Sequence, residues 1–183
     1  TKREKRNVPK SHHLGGRKMK VVSKQRNSKM CAICGMDNKY GLHAQFYNME
    51  DSSVMTKFRY REEHQSYPGR VHGGLITAIL DEMGLRALWA YKKGAEQDFG
   101  VTMSLDTKYR KPVPYNTELI GKGILIKENS KFFVVDSKIL DLEGNVLANG
   151  IIKYIKLDTN KINENIDAHE EMCYLIEDDV KEI

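Results

Sequence analysis

The chain lacks the features that mark several classes of protein. Its 183 residues include three cysteines, and a number this small and odd excludes a disulfide framework. No apolar run approaches the roughly 18 residues of a membrane helix. The basic N-terminal segment is not followed by the apolar stretch of a secretory signal. We therefore expect a cytoplasmic protein without a membrane partner.

The net charge of +5 hides three regions of different charge. Residues 1–29 hold 11 Lys and Arg against one acid, and residues 158–183 hold nine acids against two lysines. We predict a largely irregular basic N-terminal arm over 1–29, a domain over 30–157 and an acidic tail over 158–183. Three interpretations of the charged ends stay open: solvated termini, docking of arm and tail within or between subunits, and contact of the arm with polyphosphate or nucleic acid.

The hydropathy pattern predicts an α+β fold. Two alternating runs over 40–61, joined by a turn at Asp51-Ser52, indicate a hairpin. A helix from about Val71 to Lys93 is apolar on nearly all sides and should be buried. Four further strand-like runs follow with short links, which require antiparallel neighbours. The prediction is a six-stranded antiparallel sheet wrapped around one central helix, and residues 163–180 fit a last, acidic helix.

The most informative segment is RVHGGLITAILDEMG, residues 70–84. Gly73 and Gly74 stand at the helix start, where bare backbone N–H groups carry positive partial charge and favour anions. Asp81 lies further along the same apolar helix, where a carboxylate is costly unless it has a task or a partner. Together they indicate an oxyanion-binding turn and a general base.

Three motifs give the chain a family resemblance over roughly residues 28–157. They are CAICGMDNKYGL, HQSYPGRVHGGLITAILDEMG and SLDTKYRKPV, and the second is the most specific. With them the chain resembles the hotdog-fold acyl-CoA thioesterases, of the phenylacetyl-CoA thioesterase-like branch. The resemblance implies a hotdog fold and hydrolysis of acyl-CoA to a free acid and CoA, without a cofactor.

The resemblance also assigns roles to individual residues. Gly73 would offer its N–H to the thioester oxygen, Asp81 would act as general base or nucleophile, and Thr102 would orient the attacking water. Some relatives carry Asn six residues before the His, where this chain has Ser66. Gln65 or His64, from the same loop, could then supply the missing catalytic group.

The distance between the two main site residues predicts how many chains form one site. Gly73 and Asp81 are eight residues apart on one helix, or about 12 Å along its axis. The Asp81 side chain leans toward the helix start but does not reach across that gap. If both act on one thioester, they come from different subunits. We therefore expect a homodimer, or a homotetramer built as a dimer of dimers, with shared sites.

Candidate substrate contacts surround the glycine turn. Coenzyme A carries phosphates, so basic residues should line the mouth of the site, and Arg70 and Arg110 are the candidates. Ser66, His72 and Gly74 complete the set, with His72 interpreted as a turn or cap residue rather than a base. Beside the acid, Glu82 is interpreted as a structural partner of Arg86 at i+4.

The pair Cys31 and Cys34 forms a single Cys-x-x-Cys. We interpret it as a tight turn with small buried thiols, and we expect no metal. A zinc site would need a fold-back of His43, His12 or His13. A redox pair lacks the βαβ context in which such motifs occur.

Parts of the sequence also suggest two other functions. HQSYPG loosely resembles the His motif of hotdog dehydratases, but the acid of that family would fall at Ala78, which argues against a dehydratase. The other alternative is a non-catalytic acyl-CoA-binding hotdog protein or regulator. Regulators that contact DNA carry a helix-turn-helix, for which residues 1–29 are too short and irregular, so no nucleic-acid partner is expected.

Overall fold

A long helix lies against a large antiparallel sheet in the computed structural model, which describes residues 18–92, 99–157 and 171–183. The strands and the helix are, in chain order, β1 Val21–Lys24, β2 Gln45–Met49, β3 Val54–Arg59, β4 Gln65–Tyr67, β5 Arg70–Val71, α1 Gly73–Lys92, β6 Phe99–Tyr109, β7 Glu118–Glu128, β8 Phe132–Leu140 and β9 Val146–Leu157. A 3₁₀ turn, Glu62–His64, precedes β4. The α+β prediction is confirmed.

The main sheet has seven strands in the order β1-β2-β3-β7-β8-β9-β6, so the prediction of six strands is wrong. The additional strand is β1, which lies inside the segment predicted to be an irregular arm. It pairs antiparallel with β2, Val21 opposite Met49. Only four residues long and flanked by lysines, β1 shows too little alternation to be recognised from sequence.

Helix α1 is buried along most of its length, as its all-round apolar pattern predicts. Its sheet-facing residues are fully or almost fully buried: Ile76, Ile79, Leu80, Met83 and Ala87. Leu88 and Trp89, on another side, are also buried. No described helix has the length and apolar character needed to cross a membrane.

The described parts of the arm and the tail dock on each other within one chain. Met19 and Ile183 exchange two backbone hydrogen bonds of 2.7 and 2.9 Å. Asn27 and Tyr174 do the same at 2.7 and 3.1 Å. Residues 172–183 form no helix, so the predicted last helix does not extend over 172–180; its remainder, like residues 1–17, lies outside the described residues.

A charged contact fastens this pairing to the sheet. Lys24 on β1 forms a salt bridge with Asp178, which also accepts a 2.7 Å hydrogen bond from the Tyr47 hydroxyl. Burial raises the pKa of Asp178, but the hydrogen bonds from Lys24 and Tyr47 outweigh it and lower the pKa overall. The carboxylate form of Asp178 therefore favours the docked tail.

Candidate active site

The helix start presents a backbone N–H that is free to bind a ligand. His72 Nδ1 accepts the N–H of Gly74 at 3.0 Å and so caps the helix. The N–H groups of Leu75 and Ile76 both donate to His72 O. Gly73 N–H has no acceptor among the described residues, and it sits at the positive end of a 20-residue helix. This geometry suits a developing negative charge.

Asp81 is held through one of its two carboxylate oxygens. Thr102 Oγ1 donates to Asp81 Oδ1 at 2.7 Å. The Tyr154 hydroxyl lies 2.6 Å from the Asp81 carbonyl oxygen and 3.1 Å from Oδ1. Asp81 Oδ2 has no donor in the described part of the chain. The arrangement fixes the carboxylate while leaving one oxygen for a reacting group.

A bulge in β6 turns Thr102 toward the helix. On β6, Leu105 pairs with Ile152 and Tyr109 pairs with Ala148. Ile152 and Ala148 are buried, so Leu105, Tyr109 and the residue midway between them point to the same side of the sheet, toward the helix. Regular alternation would continue that series at Met103. The register shifts between Thr102 and Ser104, so Thr102 pairs with Tyr154 and takes the inward position. Met103 is 56% exposed.

Tyr154 is a buried hydroxyl donor beside the acid. Its ring stacks on Phe133, with ring centroids 4.6 Å apart. Burial, followed by the charge of the nearby Asp81 carboxylate, raises the pKa of Tyr154 well above its usual value. Tyr154 thus keeps its proton and remains a donor to Asp81 throughout the physiological pH range.

A second tyrosine lies at the glycine turn. The Tyr109 hydroxyl donates to Gly73 O at 3.1 Å, which commits its only proton. Thr77 Oγ1, 2.7 Å from the same hydroxyl, is then the donor in that contact. Strand β6 therefore touches α1 at both candidate groups, through Tyr109 at the helix start and through Thr102 at Asp81.

The loop candidates are placed near the helix start but not beside Asp81. His64 is buried and accepts the Arg61 N–H on Nδ1 at 3.0 Å, so its Nε2 carries the proton and donates to Tyr40 O at 3.2 Å. Both ring nitrogens are used within the loop, which favours a structural role. Gln65 and Ser66 are exposed on β4 and have no side-chain hydrogen bond to a described residue.

The two candidate arginines lie on the surface near the glycine turn. Arg70 is exposed on β5, two residues before the His72 cap. Arg110 directly follows Tyr109 and donates through Nε to Asn149 Oδ1 at 2.9 Å. Both side chains are exposed, and neither contacts Asp81.

Glu82 and the cysteine pair meet on the other side of α1. The predicted i+4 pair is confirmed, because Arg86 Nε donates to Glu82 Oε1 at 3.0 Å. Cys31 Sγ lies 3.8 Å from Glu82 Oε2. A hydrogen bond from Cys34 lowers the pKa of Cys31 to about 7, against the effects of burial and Glu82. His43 Nε2 instead contacts Asn38 O at 2.7 Å.

Sequence reasoning missed three residues of this site, Thr77, Tyr109 and Tyr154. Tyr109 lies in the SLDTKYRKPV motif, so its place in the site could have been proposed from the resemblance. Tyr154 alternates as an ordinary inward residue of β9, and nothing in its spacing distinguishes a hydroxyl donor from a core ring. Gly84 was the one available signal, since a glycine inside a buried helix implies close approach by another group.

The chain is similar in sequence to known thioesterases. The family model of the thioesterase superfamily matches residues 68–148, which include α1 and the whole of β6, β7 and β8. Acyl-coenzyme A thioesterase THEM4 of Rattus norvegicus is 30% identical over 126 residues, covering 65% of this chain and 50% of that protein. The chain thus spans about half the length of this relative.

Solved structures share the fold. A crystal structure of a thioesterase superfamily protein matches with a TM-score of 0.61 and 23% identity, covering 69% of this chain and 63% of that one. A hypothetical thioesterase from Streptococcus pneumoniae, crystallised with coenzyme A, matches with a TM-score of 0.56 and 19% identity, covering 63% and 86%. The helix wrapped by an antiparallel sheet is shared with these structures, so the chain has the hotdog fold, and its residues 68–148 match the family model of the thioesterase superfamily.

Proposed function

We propose that this protein hydrolyses acyl-CoA thioesters to a free acid and CoA, with Asp81 as the catalytic carboxylate. The proposal rests on the different hydrogen bonding of the two Asp81 carboxylate oxygens. Oδ1 is occupied by the Thr102 and Tyr154 hydroxyls, whereas Oδ2 has no donor among the described residues. A fixed carboxylate with one open oxygen is the geometry required of a base or nucleophile.

Gly73 supplies the second half of the chemistry. Attack on a thioester carbonyl moves an electron pair onto its oxygen, and a preorganised N–H stabilises the oxyanion without reorganisation. The uncommitted N–H of Gly73 at the start of α1 supports this role. Its distance from Asp81, eight residues or about 12 Å along the helix, separates the two groups within one chain.

Each site therefore combines Asp81 of one subunit with Gly73 of the partner subunit. Strand β6, which carries Thr102, is an edge of the sheet, and no described strand pairs with its outer side. Apolar side chains are exposed along this edge and on its neighbour β9, among them Val101, Met103, Ile151 and Ile155. An exposed apolar edge strand favours pairing with a second copy of the chain.

Two routes are open to Asp81. As a base, Oδ2 takes a proton from water while the water oxygen bonds to the carbonyl carbon. As a nucleophile, Oδ2 bonds to that carbon and forms an anhydride, which water then hydrolyses. In both routes the C–S bond breaks and the CoA sulfur leaves with the electron pair and takes up a proton. Thr102, its proton committed to Oδ1, still offers oxygen lone pairs to the water.

Further support comes from the relatives and from the surface charge. One relative is named as an acyl-coenzyme A thioesterase, and a solved structure of the fold holds coenzyme A. Arg70 and Arg110 flank the glycine turn and suit the phosphates of CoA. We also propose a cytoplasmic location, because an odd set of three cysteines suits a reducing compartment.

The test is CoA release from a panel of aryl and straight-chain acyl-CoAs by wild type and by Asp81→Asn. We expect the variant to lose about 100-fold or more in kcat. Asp179→Asn is the matched control, because Asp179 is an exposed acid of the tail whose side chain has no hydrogen bond or salt bridge among the described residues. Undiminished hydrolysis by Asp81→Asn would refute the assignment. Tight acyl-CoA binding by a wild type that hydrolyses none of the panel would favour the non-catalytic alternative.

A further inference from the structure

In the Cys-x-x-Cys turn, backbone N–H groups donate hydrogen bonds to the sulfur of Cys31. Cys31 Sγ accepts the backbone N–H groups of Ile33 at 3.3 Å and Cys34 at 3.5 Å. Hydrogen bonds of this kind favour the thiolate, which is the form that binds metals. Ser28 Oγ lies 3.3 Å from Cys34 Sγ and accepts the Cys31 N–H at 3.1 Å.

Gly35 closes this turn. Its N–H donates to Cys31 O at 2.8 Å. A Cβ at position 35 would lie 2.4 Å from that same oxygen and 2.5 Å from Cys31 N, distances that no side chain tolerates. The chain therefore folds back tightly enough to bring both sulfurs to one side, and only glycine permits it.

The fold then brings a third ligand from far away in the sequence. Glu82 is 51 residues beyond Cys31, and its Oε2 lies 3.8 Å from Cys31 Sγ. The two sulfurs and a Glu82 oxygen all lie within 4.8 Å of one another. In a tetrahedral zinc site, sulfurs about 2.3 Å from the metal lie about 3.8 Å apart, so shifts of about 1 Å suffice to close the cluster.

We propose that Cys31, Cys34 and Glu82 bind a Zn²⁺ ion, with water as the fourth ligand. This differs from the sequence-based expectation of no metal, which considered only histidines as further ligands. Among the described residues no other His, Cys, Asp or Glu joins the cluster, and Cys31 and Glu82 are half-buried, so water can reach the ion.

The charges around the cluster balance with the metal in place. Arg86 is 1% exposed and bonds Glu82 through the oxygen, Oε1, that the proposed ion does not need. Its Nη1 donates to Arg26 O at 2.6 Å. Two thiolates and Glu82 carry three negative charges, which Arg86 and one Zn²⁺ neutralise together.

The proposed ion ties the loop around Cys31 to α1. Glu82 directly follows Asp81, so the ion would anchor the turn of the helix that carries the catalytic acid. Asp81 itself faces β6, about 100° around the helix, and the two sites share no ligand. The zinc would therefore be structural, and neither water activation nor thioester cleavage is assigned to it.

The test measures metal rather than activity. Full-length protein purified under reducing conditions should contain about one zinc per chain by mass spectrometry. Cys31→Ser and Cys34→Ser should lose it. Cys173→Ser is the matched control, because Cys173 lies outside the cluster and should leave the zinc content unchanged. Zinc lost equally from all three variants would refute the assignment.

A second measurement uses Co²⁺ as a probe of the metal-free, reduced protein. Wild type and Cys173→Ser should develop thiolate-to-cobalt charge-transfer absorption, and Cys31→Ser should not. Glu82→Gln should bind zinc about tenfold or more weakly, with circular dichroism checking that Arg86, left unpaired, has not unfolded the chain. A reduced wild type that holds no zinc and gives no cobalt spectrum would overturn the proposal.

Discussion

A Cβ atom at position 84 would lie 1.8 Å from the Tyr154 hydroxyl oxygen, so Gly84 allows the Tyr154 ring to lie against the turn of α1 that carries Asp81. The two residues form one steric unit, 70 positions apart in sequence. Through it, the helix and β9 hold the Asp81 carboxylate by its Oδ1, while Oδ2 has no donor among the described residues.

Gly84→Ala should therefore destabilise the protein and reduce activity together. Overpacking of this kind costs about 1–3 kcal/mol of unfolding free energy. Urea titration of Gly84→Ala, of Tyr154→Ala and of the double variant measures the coupling. The double variant should lose less than the two single losses combined, and strict additivity would show that the two residues do not clash.

Tyr154→Phe keeps the ring and removes only the hydroxyl. The Asp81 carbonyl and Oδ1 lose their shared donor, so we expect kcat to fall about 10- to 100-fold with little change in KM. Tyr40→Phe, at a 70% exposed position, is the control for loss of a tyrosine hydroxyl. Equal kcat values for Tyr154→Phe and wild type would show that the Tyr154 hydroxyl has no role in the reaction.

Thr102→Val removes the other hydroxyl on Asp81 without changing side-chain volume. Thr102 is exposed, so stability should change by less than about 0.5 kcal/mol while kcat falls. Ser104→Ala, on the far side of the bulge and facing outward, is the matched control. A kcat loss in Ser104→Ala as large as in Thr102→Val would contradict the contact to Asp81 as the cause.

Mixing two inactive variants tests the shared site. Gly73 is the first residue of α1, a position where proline is tolerated, so Gly73→Pro removes the N–H and little else. We expect it to lose about 100- to 1,000-fold in rate.

Co-assembly of Gly73→Pro with Asp81→Asn should restore about a quarter of wild-type activity, because half of the dimers are mixed and each mixed dimer contains one intact site. A site confined to one chain would stay inactive in every combination, so the absence of restored activity would contradict the two-chain assignment.

The tail contact predicts a pH dependence of stability. The pKa of Asp178 is lowered in the folded protein, so its contribution is present above its unfolded value of about 3.9 and is lost as the pH falls through the folded value. The Tm of wild type should exceed that of Asp178→Asn at neutral pH, and the gap should close below about pH 4. Asp179→Asn, next to it and exposed, should show no such gap.

The sequence predicted the elements of this site better than their arrangement. Gly73 and Asp81 stand out in the sequence because a glycine pair and an acid each destabilise an apolar helix unless they serve a function. The hydrophobic periodicity placed both residues on α1 correctly. Thr102 came only from the family resemblance. Its inward direction depends on the bulge at Met103, and regular alternation would have turned it outward.

Long-range contacts account for the rest. Strand β1 forms because β2 and the tail segment offer partners, and its four residues carry no pattern strong enough to reveal it. Glu82 reaches Cys31 only after the loop folds onto α1, a juxtaposition that local spacing does not encode.

The pairing of residues 19–27 with 174–183 leaves the two edges of the sheet unequally accessible to other molecules. One border, at β1, is covered by the chain's own tail through the bridges Lys20–Glu182 and Asn27–Tyr174, whereas the described border at β6 is open. Sheets with two open borders can add copies without limit and grow into fibres. With one border covered, growth through the sheet stops after the first partner. The tail would then limit assembly to the proposed dimer, and its removal should lead to larger polymers.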